Sequence, residues 1–268
     1  MKNCKVIILI LGSTHHQYKG LEDAIKETWF RNYNSDVEIL FYKNSEKKSA
    51  YLEDGTLYLP IEDGHHNIGH KTIKAFEYIL KRYDFKYIFR TNYGSYVQVE
   101  NLLKFLEDKP EEKYYSGITG VEKSIIKDIT FASGSGYFLS KDVVKLICNK
   151  KTTWNHHYMD DVSLGLFLSN FNILPDKRAI RKDLCDGSEK YLICNREVDY
   201  ISKHFLYHFR CRSQNRNLDI KKVEALADGS SMLGEMALEN GLIDQIGGEP
   251  EAIEYLKTQI KAHPQICW

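Results

Sequence analysis

The sequence predicts an α/β protein whose mixed, mainly parallel sheet is flanked by helices. Two observations carry this prediction: apolar runs alternate with amphipathic stretches over residues 1–218, and the first run, Val6–Leu11, contains no polar side chain. Alternating strands and helices form sheets covered on both faces, and strands buried on both faces are continuously apolar. Ligands bind at the carboxyl ends of such strands, so we expect the chemistry in the loops after Leu11, Arg90 and Phe131.

The individual elements follow from local patterns. Strands are expected at residues 6–11, 37–42, 56–59, 87–90, 114–119 and 131–138. Helices are expected at residues 21–30, 69–83, 99–106, 141–148 and 160–169. In the first two of these helices, apolar residues recur at helical spacing.

Composition excludes several classes of protein. The 268 residues include 37 basic and 37 acidic side chains, and this neutral balance argues against a nucleic-acid binder or a binder of anionic membranes. Six cysteines without a C-x-x-C spacing argue against a disulfide scaffold and a zinc site. The apolar run at residues 6–11 is too short to cross a membrane. We therefore expect a cytoplasmic protein with no membrane span.

The neutral total conceals two unlike segments. Residues 219–268 carry nine acidic and four basic side chains, a net charge of −5, so residues 1–218 carry +5. Only Tyr255 and Trp268 of the 33 Phe, Tyr and Trp residues lie in the second segment. This shift predicts two domains, residues 1–218 and a small α/β appendage at residues 219–268.

Four stretches occur in an informative order. Residues 25–29 read IKETW, residues 90–97 read RTNYGSYV, residues 133–140 read SGSGYFLS and residues 160–165 read DDVSLG. Together they resemble the β-1,3-galactosyltransferase and Fringe-like glycosyltransferases, whose patterns are IRxTW, KTDDDxFV, SGxGYxLS and EDVxxG. The resemblance covers about residues 3–215. It implies a GT-A-like, Rossmann-like fold and inverting transfer of a sugar from a nucleotide donor, expected to be UDP-linked, to an acceptor hydroxyl.

The resemblance also implies roles for particular residues. Asp161 matches the aspartate of the family's EDV and is expected to be the general base, with Asp160 as the second candidate. The alternative is that both acids only cap a helix and complement its dipole. Donor-binding residues are expected at Thr14, Lys71, Arg90, Thr91, Asn92, Gly94 and Ser95. Acceptor-binding residues are expected at Ser133, Gly134, Gly136 and His157.

Gly134 and Gly136 lie in a predicted strand, where glycine is unfavourable. Two interpretations stay open: the close approach of another group, and a simple β-bulge.

The metal site departs from the family pattern. The family holds Mn²⁺ or Mg²⁺ through its three aspartates, but the corresponding residues here are Asn92, Tyr93 and Gly94, and hard cations require charged oxygen ligands. Three explanations compete: metal-free neutralisation of the diphosphate, weak metal binding through Asn92 and His208, and lost activity. We favour the first, with the positive charge supplied by Arg90, Lys71, Arg210 or Arg212.

The C-terminal segment resembles a different family. Residues 219–268 are similar to the end of the signal peptide peptidase (protease IV-like) serine peptidases, with ADG at residues 227–229 and GLID at 241–244. Ser230 and Ser231 match no nucleophile of that family, so we expect no peptidase activity. A helix, a turn at residues 228–229, a strand at 242–246 and a helix at 251–261 are expected, and the segment could pair two copies into a homodimer.

Two other functional classes stay open. One is a non-catalytic module that binds a nucleotide or glycan and has a decayed metal site. The other is an inactive remnant of the peptidase family.

Overall fold

The computed structural model describes residues 1–31, 34–123, 128–185, 188–193 and 206–212. For residues 184–185, 188–193 and 211–212 it describes the backbone alone. The chain divides into two units, Met1–Arg216 and Asn217–Trp268, and all described residues belong to the first. The elements predicted for the C-terminal segment, together with Ser230 and Ser231, lie outside the described residues, so the two-domain organisation stays a prediction.

Strands and helices alternate through most of the first unit. The strands are β1 (Lys2–Asn3), β2 (Val6–Leu11), β3 (Val37–Asn44), β4 (Tyr51–Glu53), β5 (Thr56–Leu59), β6 (Tyr83–Asp84), β7 (Tyr87–Asn92), β8 (Ser95–Val97), β9 (Tyr115–Glu122), β10 (Ile129–Ser140), β11 (Ile180–Cys185), β12 (Ser188–Ile193) and β13 (His208–Arg212). The helices are α1 (Lys19–Thr28), α2 (Ile68–Arg82), α3 (Val99–Phe105), α4 (Lys141–Asn149) and α5 (Asp160–Ser169). None of the helices in the described part of the chain is long and apolar enough to cross a bilayer.

A seven-stranded sheet forms the centre of this unit, in the order β4-β5-β3-β2-β7-β10-β9. The four strands β5, β3, β2 and β7 are parallel, whereas β4, β10 and β9 pair antiparallel at the two sides. The predicted α/β class, with a mixed sheet flanked by helices, is confirmed. A second sheet, in the order β12-β11-β13-β8, adds strands that the sequence patterns did not predict.

Two apolar clusters cover the faces of the central sheet. Alternate residues of β2 divide between them: Ile7 and Leu9 pack with α2, α4 and α5, whereas Ile8 and Ile10 pack with α1 and α3. Every residue from Val6 to Ile10 is fully buried, which explains the unbroken apolar run.

Candidate functional site

A cavity of about 380 Å³ opens at the carboxyl ends of the central strands. The ends of β2 and β7 lie side by side there, because the parallel register pairs Leu11 with Asn92. The lining residues are Leu11, Gly12, Ser13, Tyr18, Leu21, Asp63, Gly64, His65, Ile68, Lys71, Asn92, Tyr93 and Gly94. The cavity is therefore where an α/β sheet places a ligand, and three predicted donor-binding residues, Lys71, Asn92 and Gly94, line it.

A buried lysine supplies positive charge to this cavity. Lys71 projects from the first turn of α2 and is 2% exposed. Its ammonium donates to the Asp63 carboxylate and, at 3.3 Å, to the Gly12 carbonyl oxygen. The second Asp63 oxygen accepts a 2.5 Å hydrogen bond from the Ser13 hydroxyl. Lys71, Asp63 and Ser13 thus form one hydrogen-bonded cluster on the cavity wall.

Aromatic rings form another part of the wall. Tyr93 stacks on Tyr18 with ring centroids 5.8 Å apart. The Tyr93 hydroxyl donates to Glu22 at 3.2 Å and lies so close to Gly12 that a Cβ atom there would come within 2.5 Å of it. Burial raises the pKa of Tyr93, and the neighbouring Glu22 raises it further, so the phenol stays protonated. Gly12 is therefore required by the position of this ring.

The antiparallel course of β10 brings Gly134 next to Asn92, which lines the cavity. Its N–H donates to Asp161 Oδ2 at 2.7 Å, and its carbonyl oxygen accepts from Asn92 Nδ2 at 3.4 Å and from Arg90 Nη1. Asp161, at the start of α5, also accepts the N–H of Val162 through its own Oδ1. One residue of β10 therefore connects Asn92, on the cavity wall, with the half-buried Asp161.

Asp160 occupies a different environment from Asp161. It is 7% exposed, and its Oδ2 accepts a 2.7 Å hydrogen bond from Arg90 Nη2. Arg90 also donates through Nε to the Tyr42 hydroxyl at 2.9 Å, so all three guanidinium nitrogens have partners. Burial raises the pKa of Asp160, opposed by the charge of Arg90. Burial alone would lower the pKa of Arg90, but Asp160 together with Tyr42 and Tyr137 raises it overall.

These contacts bear on two sequence predictions. The contacts of Arg90 point to a structural role, because each guanidinium nitrogen already donates to a protein group and the side chain is almost fully buried. The Asp160 carboxylate is buried in the ion pair with Arg90. Donor binding by Arg90 and catalysis by Asp160 stay predictions that this geometry does not favour.

A second polar cluster lies behind the end of β7. Thr91 and Ser95 both donate through their hydroxyls to the Ser135 carbonyl oxygen, at 2.6 and 3.1 Å. The Ser95 hydroxyl lies 2.9 Å from His208 Nε2. Burial, together with the charges of Arg181 and Arg210, lowers the pKa of His208 well below its ordinary value. Thr91 and Ser95 are almost fully buried. Their hydroxyls connect β7 and β8 with β10, and that of Ser95 also contacts β13, so neither residue lines the cavity.

The structure shows both features that the sequence left open for the glycines of β10, the close approach of another group and a β-bulge. A Cβ atom at Gly134 would lie 3.1 Å from Asp161, and one at Gly136 would lie 2.4 Å from His208. The register between β9 and β10 also shifts between Ala132 and Tyr137, which marks an irregularity of the bulge type. The glycines therefore accommodate side chains of the polar clusters at a bulged part of the strand.

The other predicted site residues are more dispersed. Thr14 is exposed, and both its N–H and its hydroxyl donate to Asn44. His157 is exposed in the loop before α5. The Ser133 hydroxyl lies 3.1 Å from that of Ser135 and 3.4 Å from Arg181 Nη1.

The residues present do not fit a divalent cation held by carboxylates. The Oδ1 atom of Asn92 accepts the N–H of Gly94 at 3.0 Å, and the Tyr93 hydroxyl turns back to Glu22. His208, the other candidate, is buried against Ser95. Over the described ranges, no three His, Cys, Asp or Glu residues cluster as metal ligands would. We therefore derive no step through a metal ion.

Sequence reasoning missed Asp63, Ser13 and Tyr18 as cavity residues. Asp63 and Ser13 lie in polar loops outside the four motifs, and 50 residues separate them. Ser13 directly follows β2 and Gly12, so its position after a buried strand is the one signal that could have found it.

Comparison with known proteins confirms the resemblance of the main segment. The chain is 25% identical over 208 residues to beta-1,3-galactosyltransferase 1 of Homo sapiens and of Mus musculus, an alignment covering 65% of this chain and 63% of each relative. It is 24% identical over 194 residues to hydroxyproline O-galactosyltransferase GALT2 of Arabidopsis thaliana, covering 61% of this chain and 28% of that protein. The chain thus spans less than two thirds of the length of these relatives.

The resemblance of the C-terminal segment to the other family is also confirmed. The model of peptidase family S49 matches residues 188–263. The chain is also 29% identical over 145 residues to a putative signal peptide peptidase SppA of Enterococcus faecium, covering 49% of this chain and 40% of that protein. The match begins before residue 219, where the sequence analysis placed the boundary.

Among solved structures, the chain is similar to a glycosyltransferase involved in glycosylation of the major capsid of PBCV-1. The TM-score is 0.46 at 10% identity, covering 83% of this chain and all of that one. It is also similar to the galactosyltransferase LgtC in complex with donor and acceptor sugar analogs, with a TM-score of 0.40 at 9% identity, covering 87% and 99% of the two chains.

Proposed function

We propose that this protein is a glycosyltransferase that moves a sugar from a nucleotide donor, expected to be a UDP-sugar, to an acceptor hydroxyl with inversion. The observation that carries the proposal is the connection from the cavity to Asp161. Asn92 lines the cavity and contacts Gly134, which in turn donates to Asp161. A single residue of β10 therefore lies between the cavity wall and this carboxylate. The galactosyltransferase names of the relatives support the same class of reaction.

In this proposal the cavity takes the nucleotide. The half-exposed ring of Tyr18 offers a flat face on which a base can stack, and Lys71 offers charge for the diphosphate. Asn92 and the loop after β2 complete the donor site. The basic balance of residues 1–218 favours approach of an anionic nucleotide-sugar.

Asp161 is proposed to take the proton of the acceptor hydroxyl. The acceptor oxygen forms a bond to the anomeric carbon while the bond from that carbon to the diphosphate breaks. The hydroxyl proton passes to the carboxylate. The hydrogen bond from the Gly134 N–H to Oδ2 fixes the orientation of the Asp161 carboxylate. Its other oxygen, Oδ1, accepts the N–H of Val162 at 2.9 Å.

The test is UDP release from a panel of UDP-sugars with mixed glycan acceptors. We expect Asp161→Asn to lower kcat by about 10²–10⁴-fold, the usual contribution of a general base. The asparagine can still accept the Gly134 N–H, so the variant should remain folded. Asp108→Asn, at an exposed carboxylate outside the site, serves as the control and should retain wild-type turnover.

Equal turnover of the Asp161 variant and the wild type would contradict the role of this residue. The substituted acidic triad favours a second candidate, a module that binds the nucleotide without catalysis. Tight UDP binding with no turnover of any UDP-sugar would support that candidate.

A further inference from the structure

The strongest unassigned feature is the ion pair on the cavity wall. Lys71 is the sole lysine or arginine among the residues described as lining the cavity. Its side chain is 3% exposed, whereas that of its partner Asp63 is 31% exposed. The lysine is therefore fixed in the protein, and the carboxylate lies at the boundary with solvent.

A charge that is buried and fixed needs a partner of opposite charge. Leaving Lys71 without one would be strongly unfavourable, because its ammonium has only the Gly12 carbonyl as a second acceptor. Asp63 supplies that partner, and it also accepts the hydroxyl of Ser13. The same two donors, an ammonium and a hydroxyl, suit the oxygens of a phosphate group.

We propose that Lys71 and Ser13 form the diphosphate subsite in place of a divalent cation, and that Asp63 fills this subsite until a nucleotide displaces its carboxylate. This inference rests on the proposed function, since it concerns the same cavity. A diphosphate carries more negative charge than one carboxylate, so it competes successfully for Lys71. Asp63 can then turn toward solvent at small cost, because almost a third of its side chain is already exposed.

The test is titration of UDP and inorganic pyrophosphate by calorimetry, with and without EDTA. Asp63→Asn removes the competing anion and is expected to tighten UDP binding about three- to tenfold, since the Lys71 charge becomes available. Lys71→Met is expected to weaken binding at least about tenfold, the loss expected for a hydrogen bond to a charged group. EDTA is expected to leave all dissociation constants unchanged.

The chain offers a matched control. Asp84 accepts from Lys141 in another lysine–aspartate pair, which is more exposed and does not belong to the lining residues. Asp84→Asn and Lys141→Met should leave UDP binding unchanged. If Lys71→Met fails to fold, Ser13→Ala tests the same subsite and should weaken UDP binding about tenfold, the lower end of the effect of a hydrogen bond to a charged group.

Several outcomes would overturn the inference, the proposed function or both. Weaker UDP binding by Asp63→Asn together with loss of binding in EDTA would identify Asp63 as a metal ligand. Unchanged binding in the Asp63, Lys71 and Ser13 variants would make the cluster purely structural. Turnover of UDP-sugars with normal UDP binding by Lys71→Met would refute the subsite alone. UDP binding that follows the predicted pattern without any turnover would refute the proposed function alone, and absence of UDP binding by the wild type would refute both.

Discussion

Gly136 illustrates how closely single residues are fitted around the polar clusters. A Cβ atom there would approach His208 Cε1 to 2.4 Å and Phe89 Cζ to 2.8 Å, and both rings are buried. The sequence indicated that a glycine in this strand was unusual, but not which group it makes room for. The answer depends on a histidine 72 positions later in the chain, which local patterns do not reveal.

Replacing this glycine tests the fit. We expect Gly136→Ala to lower the free energy of unfolding by about 1–3 kcal/mol, the usual effect of overpacking a core. Gly20→Ala is the control: nothing lies within 4 Å of its Cβ position in α1, so that change should stabilise the protein by about 0.4–1 kcal/mol. Urea denaturation of both variants measures the difference. A Gly136→Ala protein as stable as the wild type would contradict the close packing.

The burial of His208 predicts that the free energy of unfolding depends on pH. Because burial and the charges of Arg181 and Arg210 lower its pKa, the folded protein keeps this imidazole neutral. The unfolded chain takes up a proton near the ordinary histidine pKa of about 6.5. The unfolded state therefore binds more protons as the pH falls below this value, and the free energy of unfolding decreases with it.

Urea midpoints measured from pH 8 to pH 5 test this prediction. The wild type should lose stability below about pH 6.5, and His208→Gln should show a shallower decline. The same substitution at His66, which is exposed, should leave the slope unchanged. A slope that is identical in all three proteins would exclude His208 as its source.

At the scale of elements, the start of α5 separates two neighbouring acids. The sequence showed Asp160 and Asp161 as a pair that could cap a helix or act in catalysis. The helix buries the first against Arg90 of β7 and directs the second to Gly134 of β10. Which acid takes which position depends on the rotation of the helix against the sheet, and no local pattern specifies that rotation.

The different surroundings of Asp160 and Asp161 predict different losses of stability when each is replaced. Asp160→Asn removes the partner of a buried guanidinium and is expected to lower the free energy of unfolding by about 3–5 kcal/mol. Asp161→Asn keeps an acceptor for the Gly134 N–H and should lower it by at most about 1 kcal/mol. Thermal and urea unfolding of the two variants side by side provide the comparison. Equal losses would show that the two acids share one structural role.

The strands that could be predicted are those with an apolar run. Strands β2, β3, β5, β7, β9 and β10 and all five helices lie within a few residues of their predicted bounds. The three-residue strand β8 and its partner β13 were missed, because both are short and they pair across more than 100 residues. Their pairing brings His208 to Ser95, so the second polar cluster could not have been predicted.

For the whole molecule, the sequence showed most directly that residues 1–218 and 219–268 differ in net charge and in aromatic content. The similar proteins differ as well: beta-1,3-galactosyltransferase 1 aligns with 65% of the chain, whereas the model of peptidase family S49 matches residues 188–263, a range that begins before the change in charge at residue 219. The cavity and the polar clusters were predicted in part, through the rule that ligands bind at strand ends. Their actual partners arise from contacts between distant segments.

A shortened chain ending at Asn217 tests the organisation of the molecule. The described core belongs to the unit Met1–Arg216, so this chain should unfold cooperatively and bind UDP as tightly as the full-length protein. Differential scanning calorimetry and UDP titration measure both properties. Aggregation or loss of cooperative unfolding would show that residues 218–268 are integral to the fold.

The contacts of Tyr93 determine how this site could be re-engineered. Its phenol contacts Glu22, stacks on Tyr18 and covers Gly12. An aspartate at this position would bring a second carboxylate toward Glu22 and leave a gap above Gly12. A carboxylate at position 93 would therefore require compensating changes at Glu22 and around Gly12 before it could serve as a metal ligand. Attempts to engineer a metal-dependent form of this cavity should change these positions together rather than one at a time.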